Sequence, residues 1–478
     1  MIAIMLLPLT MAGQAVTASP APTASPAVAE ALAKAPPGTR IGLVVTDADG
    51  REIVAVRPDE RFIPASNTKL FTTAAAFATL DTQTPDAAGG ATVRLEGRGT
   101  PNVVLAGHGD ARLSSAPDCR EDCLATLATA VAQRTRVVNN VVGDDTAFPD
   151  ERWPQGMSWN NMDSAYGTGI SALTLDDNVV AVTVTPTTPG APPLVTGDGY
   201  YRIDNAATTG VDASPRTLTA ERLPGSDAVR LTGSVAAGTP PVTLSLGIDD
   251  PAQRAAWRFA QLLRAAGVTV RGRIAVRHRP LGPADDPGSR GATPVAATPE
   301  PQVLARLVPG PLADDLLHTN KASQNLHAEL LLRRLGASGS VADGHAVVDA
   351  LLTRAGIAKA AYDFADGAGM SNYNRATPRA TMALLRWAAM QPWGAAWRAT
   401  LPIAATDGTL IRRFVGTPLA GRLWAKTGTL NAANALSGYM TAASGRTLTF
   451  SAYANDMPGD TSATAAIDAA LVAIAAAN

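Results

Sequence analysis

Cysteine, histidine and aromatic residues are all scarce in this chain, and net charge is almost absent. Two cysteines in 478 residues cannot build a disulfide framework, and two thiols alone are too few ligands for a metal site. The five histidines (His108, His278, His318, His327 and His345) are scattered, and none lies in a pattern that suggests a zinc set or a triad base. No metal or organic cofactor is therefore implied. His327 lies two residues beyond Asn325, so it is a candidate for the rim of any cleft there. Forty basic residues stand against forty-one acidic ones, for a formal net charge of −1. With no basic stripe interleaved with aromatics, nucleic acid is not an expected partner. The 46% hydrophobic and 17% charged content is ordinary for a globular protein and argues against disorder. Cys119 and Cys123 are four apart; a local disulfide and two free thiols both remain open.

The N-terminus carries a short apolar run, Ile2 to Leu9, followed by small residues ending Val16-Thr17-Ala18. That pattern resembles a secretory signal over residues 1–18, although no Lys or Arg precedes the run. The run is too short, and interrupted by Pro8, for a lasting transmembrane helix. The Ala-, Pro- and Thr-rich stretch 19–37 reads as a linker with one short helix, Ala27 to Lys34. The Ala-rich run Ala463 to Ala477 lacks the cationic face of a surface-lying anchor. Export without stable membrane insertion is the expectation, to the periplasm or the extracellular cell envelope.

Three short motifs then occur in order: Ser66-Asn67-Thr68-Lys69, Ser323-Gln324-Asn325 and Lys426-Thr427-Gly428. Each alone is weak, because a serine beside a helix is more often a cap and a lone lysine more often a surface charge. Their order and context make the set informative, since S-x-x-K implies a serine nucleophile served by lysine rather than histidine. Pro64 precedes Ser66, and Leu70, Ala74, Phe77 and Leu80 follow at helical spacing. Ser66 is thus expected at a helix N-terminus, with Lys69 one turn on along the same face.

A hairpin is expected at Ile41 to Thr46 and Glu52 to Val56, turning at Asp49-Gly50. At the far end, the strand Arg422 to Thr427 precedes a second hairpin, Ala435 to Thr441 and Leu448 to Tyr453. Together these predict one antiparallel sheet covered on one face by the N- and C-terminal helices. Helical periodicity marks Leu304 to Val308, Leu312 to His318, Leu326 to Leu335, Val341 to Ala355 and Thr377 to Met390. The fold class is therefore α+β, a sheet flanked by helices with a helical block beside it. Between Lys69 and Ser323 the sequence reads mostly as β (Thr92 to Glu96, Asn102 to Ala106, Arg136 to Val142, Asn178 to Thr185, Ala228 to Gly233, Val242 to Ile248), with one clear helix at Pro251 to Ala266. Pro-, Thr- and Gly-rich breaks suggest a catalytic domain of residues 38–85 and 295–478. An inserted domain II would comprise 86–185 and 268–294, and an inserted domain III 186–267.

On these motifs the chain resembles the class C low-molecular-mass penicillin-binding proteins, the D-alanyl-D-alanine carboxypeptidase/endopeptidase family, and the long insertion is that family's hallmark. The resemblance extends to Leu105-Ala106-Gly107-His108-Gly109-Asp110, to Ser171-Ala172-Leu173 with Asn178, and to Asp366-Gly367-Ala368-Gly369-Met370-Ser371. It also takes in Leu401-Pro402, Asp407-Gly408-Thr409 and Ser437-Gly438-Tyr439. It implies a penicillin-binding, serine β-lactamase-like domain, with peptidoglycan stem peptides as substrate and β-lactams as acylating agents. Ser66 would be the nucleophile, Lys69 its base with a pKa depressed by desolvation beside Lys426, and Ser323 a proton relay. Asn325 would hold Lys69 and the substrate, Thr427 would meet the terminal carboxylate, and Gly428 would let a substrate strand lie close. The backbone N–H groups of Ser66 and Thr429 would form the oxyanion hole. Asp366 would fix a Gly-rich turn near the site. Two departures lower the charge of the implied side-chain pocket. Trp159 is followed by Asn160 and Asn161, with Asp163 the nearest carboxylate, where the family carries an aspartate. Asn372 stands where the family carries an arginine. A β-lactamase or esterase with the same nucleophile, or a silent wall-binding protein, are the competing readings.

Overall fold

The computed structural model describes residues 25–296 and 301–478; the signal-like run 1–18 lies outside them. The central sheet has five antiparallel strands in the spatial order Glu52–Val56, Arg40–Thr46, Thr447–Asn455, Ala433–Thr441, Leu423–Leu430. Both chain ends thus meet in one sheet, as the two hairpin patterns anticipate. Side chains alternate across it, as strand geometry requires. Leu436 and Met440 point to one face, where Leu43, Val45 and Phe450 join Ile467, Leu471 and Ile474 of the C-terminal helix Thr464–Ala477. The short helix Pro26–Ala33, read as part of a linker, buries Val28 and Ala31 in the same core. Each fully buried aliphatic side chain here contributes roughly 1.5–3 kcal/mol. Tyr439 and Tyr453 point to the other face. There Tyr439 donates to the Leu385 carbonyl (2.6 Å) and Tyr453 pairs with Thr381 (2.6 Å), both partners lying on the helix Pro378–Ala389.

The helical block packs on the nucleophile helix Thr68–Thr79. Leu70, Phe71 and Ala74 meet Leu316, Leu331, Leu332, Leu351 and Trp397 in a continuous core. Among the described residues the edge strand Leu423–Leu430 has one strand neighbour in the sheet; its outer edge is bridged by Ile403 at Trp424 only, and it runs beside this block. That leaves a cleft between a strand edge and a helix N-terminus.

The insertion contains a second five-stranded sheet, ordered Ile274–Arg279, Val141–Pro149, Asn102–Ala106, Thr92–Glu96, Ala305–Arg306. Three short sheets lie within residues 179–247, among them the antiparallel trio of Val179–Thr185, Leu194–Thr196 and Val242–Gly247. Three details differ from the sequence reading. The helix Pro251–Ala265, assigned to domain III, instead buries Ala255, Ala256, Phe259 and Leu263 against Val103 and Val141 of the larger inserted sheet and Leu127 of the helix Leu124–Arg134. Conversely, Val179–Thr185, assigned to domain II, is the central strand of a short domain III sheet. Leu304 to Val308 is extended rather than helical. Ala305 and Arg306 pair with Val93 and Thr92, so the chain leaves the inserted sheet only after residue 306, beyond the expected boundary at 295. The apolar spacing misled there because Leu304 and Val308 are exposed and only Leu307 is buried. Cys119 and Cys123 are disulfide-bonded, just ahead of the helix Leu124–Arg134. Among the described residues no helix is long and apolar enough to cross a membrane.

Candidate active site

Ser66 sits in a single 3₁₀ turn, Ala65–Asn67, that feeds the helix Thr68–Thr79. The turn forces Ala65 to a φ of 46°, a conformation that costs a non-glycine residue about 1 kcal/mol or more. Gly369 lies so close that a Cβ there would fall 2.0 Å from the Ala65 carbonyl oxygen. Only glycine fits, and the Gly-rich turn 366–371 is thereby pressed against the serine.

Lys69 is fully buried. Its Nζ lies 3.0 Å from Ser66 Oγ and donates to Asn325 Oδ1 (2.7 Å) and to the Ala368 carbonyl (2.6 Å). Loss of hydration lowers its pKa to about 7, against the opposing pull of Asp366 and Glu329. Near neutral pH much of it is a free amine, whose lone pair can accept the serine proton.

Lys426 is also fully buried, and donates to Ser323 Oγ (2.8 Å) and to the Thr427 carbonyl (3.0 Å). Burial, and then the charge of Lys69, hold its pKa well below the usual lysine range. Ser323 is held at a φ of 61°, a strained geometry that aims its hydroxyl at Lys426. Asn325 opens the helix Asn325–Leu335, and its amide nitrogen donates to the Tyr166 carbonyl (3.0 Å) while its oxygen receives Lys69. The five side chains therefore form two hydrogen-bonded groups, Lys69 with Ser66 and Asn325 and Lys426 with Ser323, close enough for the charge of Lys69 to act on Lys426.

Thr427 lies beside Thr409 (2.7 Å between hydroxyls), and exposed Thr429 follows on the same edge strand. A Cβ at Gly428 would fall 2.9 Å from the Pro64 carbonyl oxygen and 3.1 Å from Ser66 N, so this glycine lets the strand approach the nucleophile.

The side-chain candidates divide. Asn372 donates its backbone N–H (2.9 Å) and its side-chain amide (3.3 Å) to the Gly156 carbonyl, and its own carbonyl accepts from Arg375 (2.7 Å). Asn160 is exposed and accepts from Ser158 Oγ (2.6 Å). Asn161 is half-buried under Gly167, whose neighbour Tyr166 contacts Asn325. Asp163 is drawn instead toward the small sheets: its carbonyl accepts from Gly247 N, and Arg222 is its positive neighbour. Burial raises the Asp163 carboxyl above its ordinary range.

Sequence reasoning missed the support beneath the lysine. Glu329 Oε1 accepts from both Gly367 N and Ala368 N (2.8 Å each), fixing the carbonyl that receives Lys69. Its other oxygen pairs with Arg333 (2.9 Å). The signal was present in the i, i+4 spacing of Asn325, Glu329 and Arg333 along one helix. Asp366 accepts from Gly369 N and Ser371 N (2.8 and 2.6 Å), and burial, then Glu329, raise its carboxyl to about 6. Asn67, also missed, donates to the Lys426 carbonyl (2.9 Å). Exposed Tyr166 borders an apolar pocket with Pro154, Met157, Leu326 and Met370. His327 lines a different cavity from Asn325.

The architecture, a helix-flanked sheet with a β-rich insertion and a serine–lysine cluster at its edge, is that of the penicillin-binding proteins. A model of the D-Ala-D-Ala carboxypeptidase 3 (S13) family matches residues 24–478, and the chain belongs to that family. It is 34% identical over 452 residues to a D-alanyl-D-alanine carboxypeptidase of Actinomadura sp. (strain R39), covering 88% of this chain and 79% of that protein. Identity to D-alanyl-D-alanine carboxypeptidase DacB of Haemophilus influenzae is 25% over 453 residues, covering 90% and 88%. The crystal structure of penicillin binding protein 4 (dacB) from Haemophilus influenzae shares the fold, with a TM-score of 0.77 at 22% identity over 93% of this chain and 97% of that one. The chain is thus a hydrolase of the serine D,D-peptidase type.

Proposed function

We propose that this protein is an exported cell-envelope peptidase that hydrolyses D-alanyl-D-alanine termini of peptidoglycan stem peptides, and D,D cross-links of the same chemistry. One observation carries the reading: a fully buried lysine with a pKa of about 7, its Nζ 3.0 Å from the hydroxyl of Ser66. A dry amine at that distance is a competent general base, where an exposed lysine would stay protonated.

In the proposed reaction Ser66 Oγ bonds to the D-alanyl carbonyl carbon and passes its proton to Lys69. The tetrahedral oxyanion sits between the N–H groups of Ser66 and Thr429. Collapse breaks the peptide bond, and the leaving amine takes a proton relayed through Ser323 from the Lys426 side of the cluster. Lys426 supplies positive potential and Thr427 a hydroxyl for the terminal carboxylate of the substrate. Water then attacks the acyl carbon and gives a proton through Ser323 back to Lys426, the Ser66–acyl bond breaks, and Lys69 returns its proton to Ser66 Oγ. A β-lactam would enter by the same attack, its ring opening onto Ser66. The uncharged Asn160, Asn161 and Asn372 support a side-chain pocket less dependent on a charged diamino acid than that of the relatives.

The test is incubation of the protein and its Ser66→Ala variant with a fluorescent penicillin, followed by peptide mapping. A covalent adduct on Ser66, absent in the variant, and release of D-alanine from a D-alanyl-D-alanine peptide are expected. Intact penicillin with no adduct would contradict the reading and favour a silent wall-binding protein. Rapid turnover of penicillin without D-alanine release would favour a β-lactamase.

A further inference from the structure

A second constellation lies outside the acylation cluster. His318, exposed near the end of the helix Leu312–Lys321, and His327, buried near the start of the helix Asn325–Leu335, bring their rings to 5.0 Å between centroids. Asp177 reaches them from the insertion. One donor atom from each of the three lies within 4.8 Å of the others. Neither the nine-residue histidine spacing nor the distant aspartate marks this cluster in the sequence; the fold assembles it.

We propose that Asp177, His318 and His327 form a binding site for a divalent transition-metal ion of the zinc class. Two imidazoles and one carboxylate are the ligand types that suit such an ion, with a further position left for water. His327 has the support expected of a ligand. Its Nδ1 is held by the buried carboxylate of Asp315, so Nε2 is the nitrogen directed to Asp177 (2.9 Å). A carboxylate on the far nitrogen fixes ring orientation and strengthens the near one as a donor. A cavity of about 340 Å³ opens on the same three side chains, giving room for an ion and water, and exposed His318 stands at its entrance. Arg112 also lines the cavity, but its guanidinium is engaged by the Gly310 carbonyl (2.6 Å) and faces Asp314 (3.8 Å). Asp177 is presented by three successive residues, Asp176 to Asn178, at φ values of 50°, 55° and 51°.

The location gives the ion a structural role. The two histidines bracket the segment that carries Ser323 and Asn325, and Asp177 belongs to the inserted region. An ion held by all three would pin that segment to the insertion.

The test uses the full chain, free of any histidine tag and stripped by chelator, titrated calorimetrically with Zn²⁺ and analysed for metal after gel filtration. One ion per chain is expected, with a rise in melting temperature. H318A, an exposed substitution, should lose the ion and the rise while melting like the stripped parent in chelator. Addition of Co²⁺ should give the visible absorption of a four-coordinate nitrogen and oxygen site in the parent alone. Absence of a retained ion in the parent, or its retention by H318A, would overturn the proposal.

Discussion

In the inserted region the buried cations meet carboxylates. Arg94 pairs with Asp144 (2.6 Å), Arg222 with Asp249 (2.6 Å), and Arg254 with Asp198. In the cleft, Lys69 and Lys426 are buried more completely, yet among the described residues neither forms an ion pair. Their partners are hydroxyls, an amide oxygen and main-chain carbonyls. The consequences are opposite. Hydrogen bonds and charge from Asp249 raise the pKa of Arg222 despite its burial, so the charge is permanent and holds loops together. Lys69 falls to about 7 because nothing in direct contact repays its lost hydration. Asp366 and Glu329 are near enough to keep it from falling further, and they spend their own hydrogen bonds on the turn that carries Ala368. A cation that braces structure is given a carboxylate; one that must release a proton is given neutral acceptors.

Replacing one cation of each kind separates the two behaviours most sharply. Lys69→Met should slow acylation by penicillin about 10²- to 10⁴-fold, measured by stopped-flow fluorescence, with the fold retained. Arg222→Met should do the reverse. It leaves half-buried Asp249 with only the Gly225 N–H as a partner among the described residues, at a cost of about 1–3 kcal/mol in urea unfolding, while folded molecules acylate at the parent rate. Equal effects of the two substitutions on acylation would erase the distinction.

The stability of the two regions should also differ in pH response. Lys69 has a folded pKa of about 7 against 10.5 for an ordinary lysine. Between those values the unfolded chain binds more protons, so stability rises with pH over that window; below about 7 both states are protonated and the dependence ends. The parent should gain roughly 2 kcal/mol between pH 7 and 9 relative to Lys69→Met. Denaturant midpoints at the two pH values check this.

A smaller effect sharpens the role of Glu329. Its charge raises the pKa of Lys69, so Glu329→Gln, which keeps an acceptor for the Gly367 and Ala368 N–H groups, should move the acid limb of acylation to lower pH. An unchanged limb would mean that Glu329 acts only through the turn.

Much of this arrangement was legible in the sequence because it is local or periodic. Ser66 and Lys69 share a helical turn, the terminal hairpins carry short apolar strands around polar or Gly-containing turns, and the helices from Leu312 to Ala389 carry apolar faces. What stayed hidden depends on contacts across the chain. Ala305 and Arg306 are a strand only because Val93 and Thr92 wait beside them. Pro251–Ala265 belongs to the larger inserted sheet because its alanine-rich face fits there, and no local signal says which sheet a helix will cover. In the site, Glu329 and Asn67 act on main-chain groups rather than through a motif. The meeting of Asp177 with His318 and His327 joins an insertion loop to two helices of the catalytic body.

The most direct test of the account is the pH dependence of Ser66 acylation under single-turnover conditions, read as adduct formed per unit time by intact-protein mass spectrometry. The account predicts a rate that rises with pH and reaches half its plateau near 7, where Lys69 loses its proton. A rate still climbing at the pKa of an ordinary lysine, or an adduct that forms equally in Ser66→Ala, would contradict it.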